Sequence, residues 1–158
     1  MWGVVAQYPM SELPRIAFVG KFTHTVDKKN RLAIPARWRA AASGSNEFCI
    51  LRDKKNHLLV LPQTVVDKML NTADGISISE EKRRDALRMM AADGHSTPCD
   101  KQGRIVLTRE LLEHAGISNE AVLVGEWNKF GIWSPSGYAE FERDSKTSIT
   151  EPAKEVGM

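Results

Sequence analysis

The chain repeats itself once, and this duplication constrains its fold more than any other feature of the sequence. At an offset of 73 residues, DKKNR at 27–31 falls on DKQGR at 100–104, and Pro62 falls on Pro135. The apolar runs between these points also fall on one another without a gap. Self-similarity at a fixed offset is typical of a structural unit that has been copied in tandem. We therefore predict two copies of one small unit.

Each copy follows the same order of predicted elements. A strand leads into the charged turn, a second short strand follows, and then come a short helix, a hairpin and a helix opened by proline. In the first copy these elements are predicted at 16–26, 31–35, 37–42, 48–51 with 57–61, and from Pro62 onward. In the second copy the later elements are predicted as a strand at 104–107, a helix between its cap Thr108 and its end at Gly116, a hairpin of 121–124 with 130–133, and a helix from Pro135 onward.

The residues between the copies predict an additional helix. Ser77 and Glu80 have the spacing of a capping box, and apolar residues recur at helical spacing over 78–92. The chain then divides into a first repeat, a connecting segment, a second repeat and two extensions that we expect to be flexible. These parts cover 16–70, 71–93, 94–143, and 1–15 with 144–158.

One copy alone is too small to be stable, because a unit of about 50 residues buries little apolar surface. Hydrophobic residues make up 42% of the sequence, which is enough for one shared core. We expect the two copies to pack together as an intramolecular pseudo-dimer.

The duplicated turn has fixed ends and a variable middle. Its aspartate can accept backbone N–H groups, its fourth residue tolerates left-handed backbone, and its arginine can pair with the aspartate. The turn-structuring positions are Asp27, Asn30, Asp100 and Gly103. From these residues alone, a purely structural turn and a turn that also binds a partner are equally good interpretations.

The distribution of charge separates the two copies. The whole chain has a net charge of only +2. From Lys21 to Arg39, however, six basic residues face one acidic residue, a local balance of +5. The matching stretch of the second copy, 94–112, holds three basic and two acidic residues, a balance of +1. A basic cluster around a strand turn is the electrostatic pattern expected for phosphate contact, which favours DNA binding at the first turn.

The sequence resembles the MraZ family. The stretch FTHTVDKKNRLAIPARWR looks like the opening signature of that family, and CDKQGRIVLTRELLEHAGI with AVLVGEWNKFGIWSPSGYAEF is similar to its second half. The resemblance implies an α+β, mainly β fold of two tandem SpoVT/AbrB-type domains, which form swapped-hairpin-type β-barrels. It also implies a bacterial transcriptional regulator that assembles into closed rings. Such regulators bind repeated double-stranded DNA boxes upstream of the division and cell-wall gene cluster.

The resemblance also assigns roles to residues of the two turns. The arginine of the DxxxR motif is the expected DNA contact, and this role carries over to Arg31 and, through the repeat, to Arg104. The neighbouring basic residues are expected to attract phosphates: Lys28, Lys29, Arg37, Arg39 and Lys101. The glycine that the family has before the first arginine is Asn30 here, and asparagine can hold the same turn.

Other classes of protein fit the sequence less well. The nucleotide-binding, zinc-protease and serine-hydrolase motifs are absent, and the two cysteines lie 50 residues apart without a CxxC pair. We expect no catalytic residues, metal, cofactor or small-molecule substrate, and no substrate-sized pocket lined with titratable groups. No apolar run approaches the ~18–20 residues of a membrane span, so a cytoplasmic protein is expected, and the resemblance to a DNA-binding family implies association with the nucleoid. An antitoxin-like or protein-binding module on the same fold is the alternative.

Overall fold

The computed structural model describes residues 17–42 and 46–145, which form eight strands and five helices. The first copy contains β1 (Lys21–Thr25), β2 (Arg31–Ala33), α1 (Ala36–Ala41), β3 (Glu47–Asp53), β4 (His57–Pro62) and α2 (Gln63–Gly75). The connecting helix is α3 (Glu81–Asp93). The second copy contains β5 (His95–Pro98), β6 (Arg104–Val106), α4 (Arg109–Ala115), β7 (Glu120–Gly125), β8 (Phe130–Trp133) and α5 (Pro135–Asp144).

The two copies exchange strands. Six strands form one antiparallel sheet in the order β1-β7-β8-β4-β3-β5, and β2 pairs with β6 in a separate two-stranded sheet. Strand β1 of the first copy therefore pairs with β7 of the second, and β5 of the second copy pairs with β3 of the first. The order reads the same when the copies are interchanged, so an internal twofold axis passes between β4 and β8. The predicted swapped-hairpin pseudo-dimer is confirmed.

The predicted β-barrels take the form of two sheets that do not close into a barrel within the described residues. Within the described residues, β1 and β5 are the outer strands of the six-stranded sheet and do not pair with each other. The two-stranded sheet of β2 and β6, which we call the ribbon, is a separate sheet whose inner face packs on the shared core. The fold remains mainly β with short helices, as the sequence predicted.

One hydrophobic core joins both copies. Trp38 of α1 packs against Phe130 of β8 with ring centroids 4.9 Å apart, and both side chains are fully buried. Leu32 and Ile105, which match each other at the offset of 73, face each other across the ribbon and are also fully buried. Burying one such aliphatic or aromatic side chain stabilises a fold by roughly 1.5–3 kcal/mol. Since each copy supplies half of these side chains, the core exists only when the copies pack together.

Helix ends in the second copy follow their capping signals. Thr108 accepts a hydrogen bond from the Leu111 N–H at 3.3 Å, and α4 ends at Gly116 with a left-handed φ of 65°. Ser134 caps α5 by accepting from the Gly137 N–H at 3.0 Å, with Pro135 as its first residue. The predicted start and stop of α4 are therefore confirmed.

Two local predictions are wrong. The first strand is shorter than 16–26, because Gly20 takes a φ of +108° and β1 begins only at Lys21. The capping box does not form: the Ser77 hydroxyl bonds to Ser79 instead, and α3 begins after Glu80 without a side-chain cap. The predicted connecting helix is present as α3, and neither α2 nor α3 contains a buried residue.

Some predictions fall on residues that the structure does not describe. The extension 1–15, the end of the first short helix at 43–45, and all but the first two residues of 144–158 lie outside the described ranges. In the part of the chain that is described, no helix has the length and apolar character needed to cross a membrane.

Candidate nucleic-acid interface

The first DxxxR turn is closed by its own aspartate. Asp27 Oδ1 accepts hydrogen bonds from the backbone N–H groups of Lys29 at 2.9 Å and Arg31 at 2.8 Å. The other carboxylate oxygen, Oδ2, accepts from Arg31 Nε at 2.7 Å. Asn30 takes the left-handed φ of 61° that lets the chain reverse between these ends. The aspartate thus fixes both the turn and the direction of the arginine side chain.

The second turn has the same geometry. Asp100 Oδ1 accepts from the backbone N–H groups of Gln102 and Arg104, each at 2.9 Å, and Oδ2 accepts from Arg104 Nε at 2.9 Å. Gly103 holds the left-handed position with a φ of 79°. The structural half of the prediction, that aspartate and the left-handed residue build the turn, therefore matches the contacts in both copies.

The hydrogen bonds keep both aspartates ionised. The Arg31 backbone N–H lowers the pKa of Asp27 from its ordinary value, and the Arg31 side chain and Lys29 N–H act in the same direction. The Arg104 backbone N–H lowers the pKa of Asp100 in the same way. Each arginine uses Nε for its aspartate, and among the described residues no acceptor contacts the two terminal nitrogens. A guanidinium held in this way can still donate two hydrogen bonds to a ligand.

The ribbon joins the two turns into one unit. Strands β2 and β6 are antiparallel with Arg31 opposite Val106 and Ala33 opposite Arg104, so the turns lie at its two ends. Each left-handed residue accepts a hydrogen bond from the other copy. Asn30 O accepts from the Leu107 N–H, and Gly103 O accepts from the Ile34 N–H, both at 2.8 Å. The side chains of Arg31 and Arg104 are 30% and 27% exposed, which leaves both available to a partner.

Arg39 belongs to the second turn rather than to the first. It lies on α1 of the first copy, yet its guanidinium packs against Gly103, where a Cβ atom would meet Arg39 Cζ and Nη1 at 2.5 Å. The sequence count placed this charge in the patch around DKKNR. Residue 112, which matches Arg39 in the second copy, is an uncharged leucine.

Lys21 also lies outside the basic patch around DKKNR. Its ammonium group lies 3.6 Å from a Glu142 carboxylate oxygen and 5.3 Å from the centre of the Tyr138 ring, at the end of β1 farther from the turn. With Arg39 at the other turn and Lys21 paired to α5, the imbalance of +5 against +1 largely disappears. The two turns are more alike in charge than the sequence indicates.

The remaining predicted contacts are exposed. Lys28 and Lys29 lie at the tip of the first turn, Lys101 lies at the tip of the second, and Arg37 lies on α1. The predicted site residues are therefore brought together at the ribbon and its two ends.

Sequence reasoning missed one residue of this surface. Val106 is 49% exposed on the ribbon, opposite Arg31. The alternation of β6 contains the signal, because Ile105 and Leu107 are fully buried and Val106 between them must face outward.

The expectation of no substrate-sized pocket is wrong in its literal form. A wide groove of about 860 Å³ lies beside α5 and is lined by titratable residues that include Lys55, Glu113, His114 and Glu140. His114 is engaged there, with Nε2 2.7 Å from the Asp53 carbonyl oxygen. The groove contains no residue of either turn. Within the described ranges, no three His, Cys, Asp or Glu side chains are grouped so that they could hold a metal ion.

Comparisons with known proteins agree with the sequence resemblance. A family model described as "MraZ protein, putative antitoxin-like" matches residues 17–89 and again 90–156. A transcriptional regulator MraZ from Thermomicrobium roseum is 38% identical over 122 residues, which cover 77% of this chain and 84% of the relative. A protein of the same name from Symbiobacterium thermophilum is 30% identical over 140 residues, covering 89% of this chain and the whole relative.

Proposed function

The chain belongs to the MraZ family, and from this premise we propose that it is a transcriptional regulator that binds short, repeated boxes in promoter DNA. The observation that carries the proposal is the ribbon. It presents two aspartate-held arginines at matching positions, and three exposed lysines flank them at the turn tips. The names of the relatives support a regulator rather than an enzyme.

The mechanism divides the basic residues into two groups. Lys28, Lys29 and Lys101 lie at the turn tips and attract the phosphates on either side of a groove, which positions the protein without reading sequence. Arg31 and Arg104 point their terminal nitrogens toward the bases, where guanine O6 and N7 can accept both hydrogen bonds. Arg37 and Arg39 add positive charge next to the ribbon.

Assembly into a ring is the second part of the proposal. Exposed apolar side chains on and between α2 and α3 give this region a surface suited to contact with another copy, namely Leu70, Ile78 and Met89. One ribbon gives a modest affinity, while several ribbons in one assembly engage repeated boxes at high effective concentration. The family resemblance supports target boxes upstream of the division and cell-wall genes, and hence a nucleoid location. The same proposal ends the first repeat at about residue 70 and begins the second repeat at about residue 94, with the connecting segment between them.

The test measures binding to DNA selected from a random pool. Arg31→Ala and Arg104→Ala should each weaken binding by about 1–3 kcal/mol and relax the preference for the base that the arginine reads. Arg143→Ala is the matched control, because this exposed arginine lies on α5, away from both turns. Mass photometry should show an unchanged oligomer for all three variants. Full affinity of both turn variants, or a wild-type affinity that does not fall with salt, would refute DNA contact by the turns.

An antitoxin-like, protein-binding role is the alternative, and the description of the family model favours it. In that case the partner protein would bind the apolar surface of α2 and α3 rather than the turns. Leu70→Ser combined with Met89→Ser would then abolish binding of the partner protein. The Arg31→Ala variant would bind that partner as the wild type does.

A further inference from the structure

The outer face of the ribbon consists of four side chains. Side chains alternate along each strand, so Arg31 and Ala33 of β2 share a face with Arg104 and Val106 of β6. The cross-strand pairs on this face are Arg31 with Val106 and Ala33 with Arg104. The opposite face holds the fully buried Leu32 and Ile105. The outer face therefore places one apolar side chain directly beside each arginine.

The internal twofold leaves this face only partly symmetric. It exchanges Arg31 with Arg104, which are the same residue type with the same aspartate contact. It also exchanges Ala33 with Val106, which differ by two methyl groups. Val106 is 49% exposed, and the core gains little from it. The larger apolar side chain is thus placed on one end of an otherwise symmetric reading surface.

We propose, building on the DNA-binding function above, that Val106 is a specificity residue that packs against the 5-methyl group of a thymine in the major groove. A two-stranded ribbon is about 5 Å between strand axes and fits a groove about 12 Å wide. Arginine is the usual partner of guanine there, and a small apolar side chain is the usual partner of the thymine methyl. The side chains on one strand are about 7 Å apart, roughly two base-pair steps.

The same contact gives the bound box a direction. Arg31 and Arg104 would read a twofold-symmetric pair of guanines, because the twofold relates them. Val106 reaches a thymine methyl on one side, while the shorter Ala33 leaves a gap at the matching position on the other side. The protein then distinguishes the two orientations of a box although its arginines do not.

The experiment removes the methyl group from the DNA. Boxes selected from a random pool by the wild-type protein are synthesised with deoxyuridine in place of thymidine, one position at a time, and binding is measured by fluorescence anisotropy. At one position the wild type should lose about fourfold in affinity, the value expected for one buried methyl group. Val106→Ala should bind thymine-containing DNA about fourfold more weakly and give the same affinity for thymine and uracil at that position.

A matched control variant and the ratio of thymine to uracil affinity separate loss of the methyl contact from loss of active protein. Val19 is a second exposed valine, 52% accessible and outside the ribbon, so Val19→Ala should discriminate thymine from uracil as the wild type does. The thymine-to-uracil ratio is taken within each variant, so a partly inactive preparation does not change it. Equal binding of uracil at every position by the wild type, or discrimination that survives in Val106→Ala, would overturn the inference while DNA binding itself stands. Failure of the wild type to select any sequence would overturn both.

Discussion

The two DxxxR turns have the same hydrogen bonds but different surroundings. Their matching donor–acceptor distances agree within 0.2 Å, from 2.7 to 2.9 Å in the first turn and 2.9 Å throughout the second. The left-handed residue, however, is Asn30 in one and Gly103 in the other, and it is Gly103 that lies beneath Arg39. Turn geometry is duplicated because five consecutive residues determine it, whereas the charge around each turn depends on which distant residues pack there.

Two core substitutions with a large predicted cost test whether the two strands of the ribbon are packed equivalently. Leu32→Ala and Ile105→Ala each remove a fully buried side chain at equivalent positions and should each lower the free energy of unfolding by about 2–5 kcal/mol. Because the two residues face each other, the double variant should depart from additivity. Urea unfolding measures all three. A loss of stability in only one of the two single variants would show that the two strands of the ribbon are not packed equivalently.

The next effect separates the left-handed positions. Alanine is strained at a positive φ, so Asn30→Ala and Gly103→Ala should each destabilise the fold by about 1–2 kcal/mol. Gly103→Ala should cost more, since its Cβ would displace the Arg39 guanidinium. Gly116→Ala is the control for strain alone, because its φ is 65° and nothing lies within 4 Å of the added atom. The excess at Gly103 should vanish in an Arg39→Ala background, and an excess that persists there would exclude this contact as the cause.

A smaller effect concerns the first residues of β4 and β8. His57 matches Phe130 at the offset of 73, is buried, and stacks on Trp133 with ring centroids 3.8 Å apart. Burial lowers its pKa, while the Asp53 carboxylate and the Lys55 backbone act in the opposite direction and the charges of Lys55 and His114 add to the lowering. The folded state thus favours the neutral ring, and stability is lost as pH falls below the ordinary value of about 6.5 toward the folded pKa.

His57→Phe should remove this acid-sensitive loss, which amounts to about 1 kcal/mol or less near pH 6. The measurement is the melting temperature at pH 7.5 and at pH 5.5 for wild type and variant. His57→Gln, which is polar but does not titrate near neutral pH, distinguishes titration from restored aromatic packing. An equal pH dependence in all three proteins would show that His57 does not contribute to it.

The smallest predicted change concerns the pKa values of the two turn carboxylates, which can be measured directly. The pKa values of Asp27 and Asp100 are both lowered by hydrogen bonds in the folded state. Their contribution to stability is therefore present above the ordinary value of about 3.9 and is lost as pH falls through the lower folded value. Carboxyl-carbon NMR titration should give two closely similar midpoints, both below about 3.9. A midpoint at or above that value in either turn would mean that its hydrogen bonds do not persist in solution.

The sequence predicted the parts of the fold that depend on the internal repeat or on a few consecutive residues. The offset of 73 residues revealed the pseudo-dimer, and the Asp and Arg of each motif predicted the turn contacts. The alternation of side chains along β6 also indicates that Val106 is exposed, although sequence reasoning missed this residue. The capping box at Ser77 failed because a competing hydroxyl at Ser79 takes the hydrogen bond.

The position of Arg39 could not be predicted from its neighbours in the chain. Its place over Gly103 results from the exchange of strands between copies, which brings α1 of one copy beside the turn of the other. The same applies to Lys21, whose partner Glu142 is about 120 residues away. A count of charges along the sequence assigns such residues to the wrong surface, because the fold rather than the sequence decides which charges are adjacent.

The exchange of strands also determines when the protein can fold during synthesis. Strand β1 is synthesised early, but its partner β7 follows about 100 residues later. Until β7 has been made, β1 has no strand to pair with, and its unpaired edge is open to other chains. Closing such a long loop is slow compared with forming a local hairpin. The nascent chain therefore depends on completion of its second half, and a truncated product would be prone to aggregate rather than to act as a half-sized regulator.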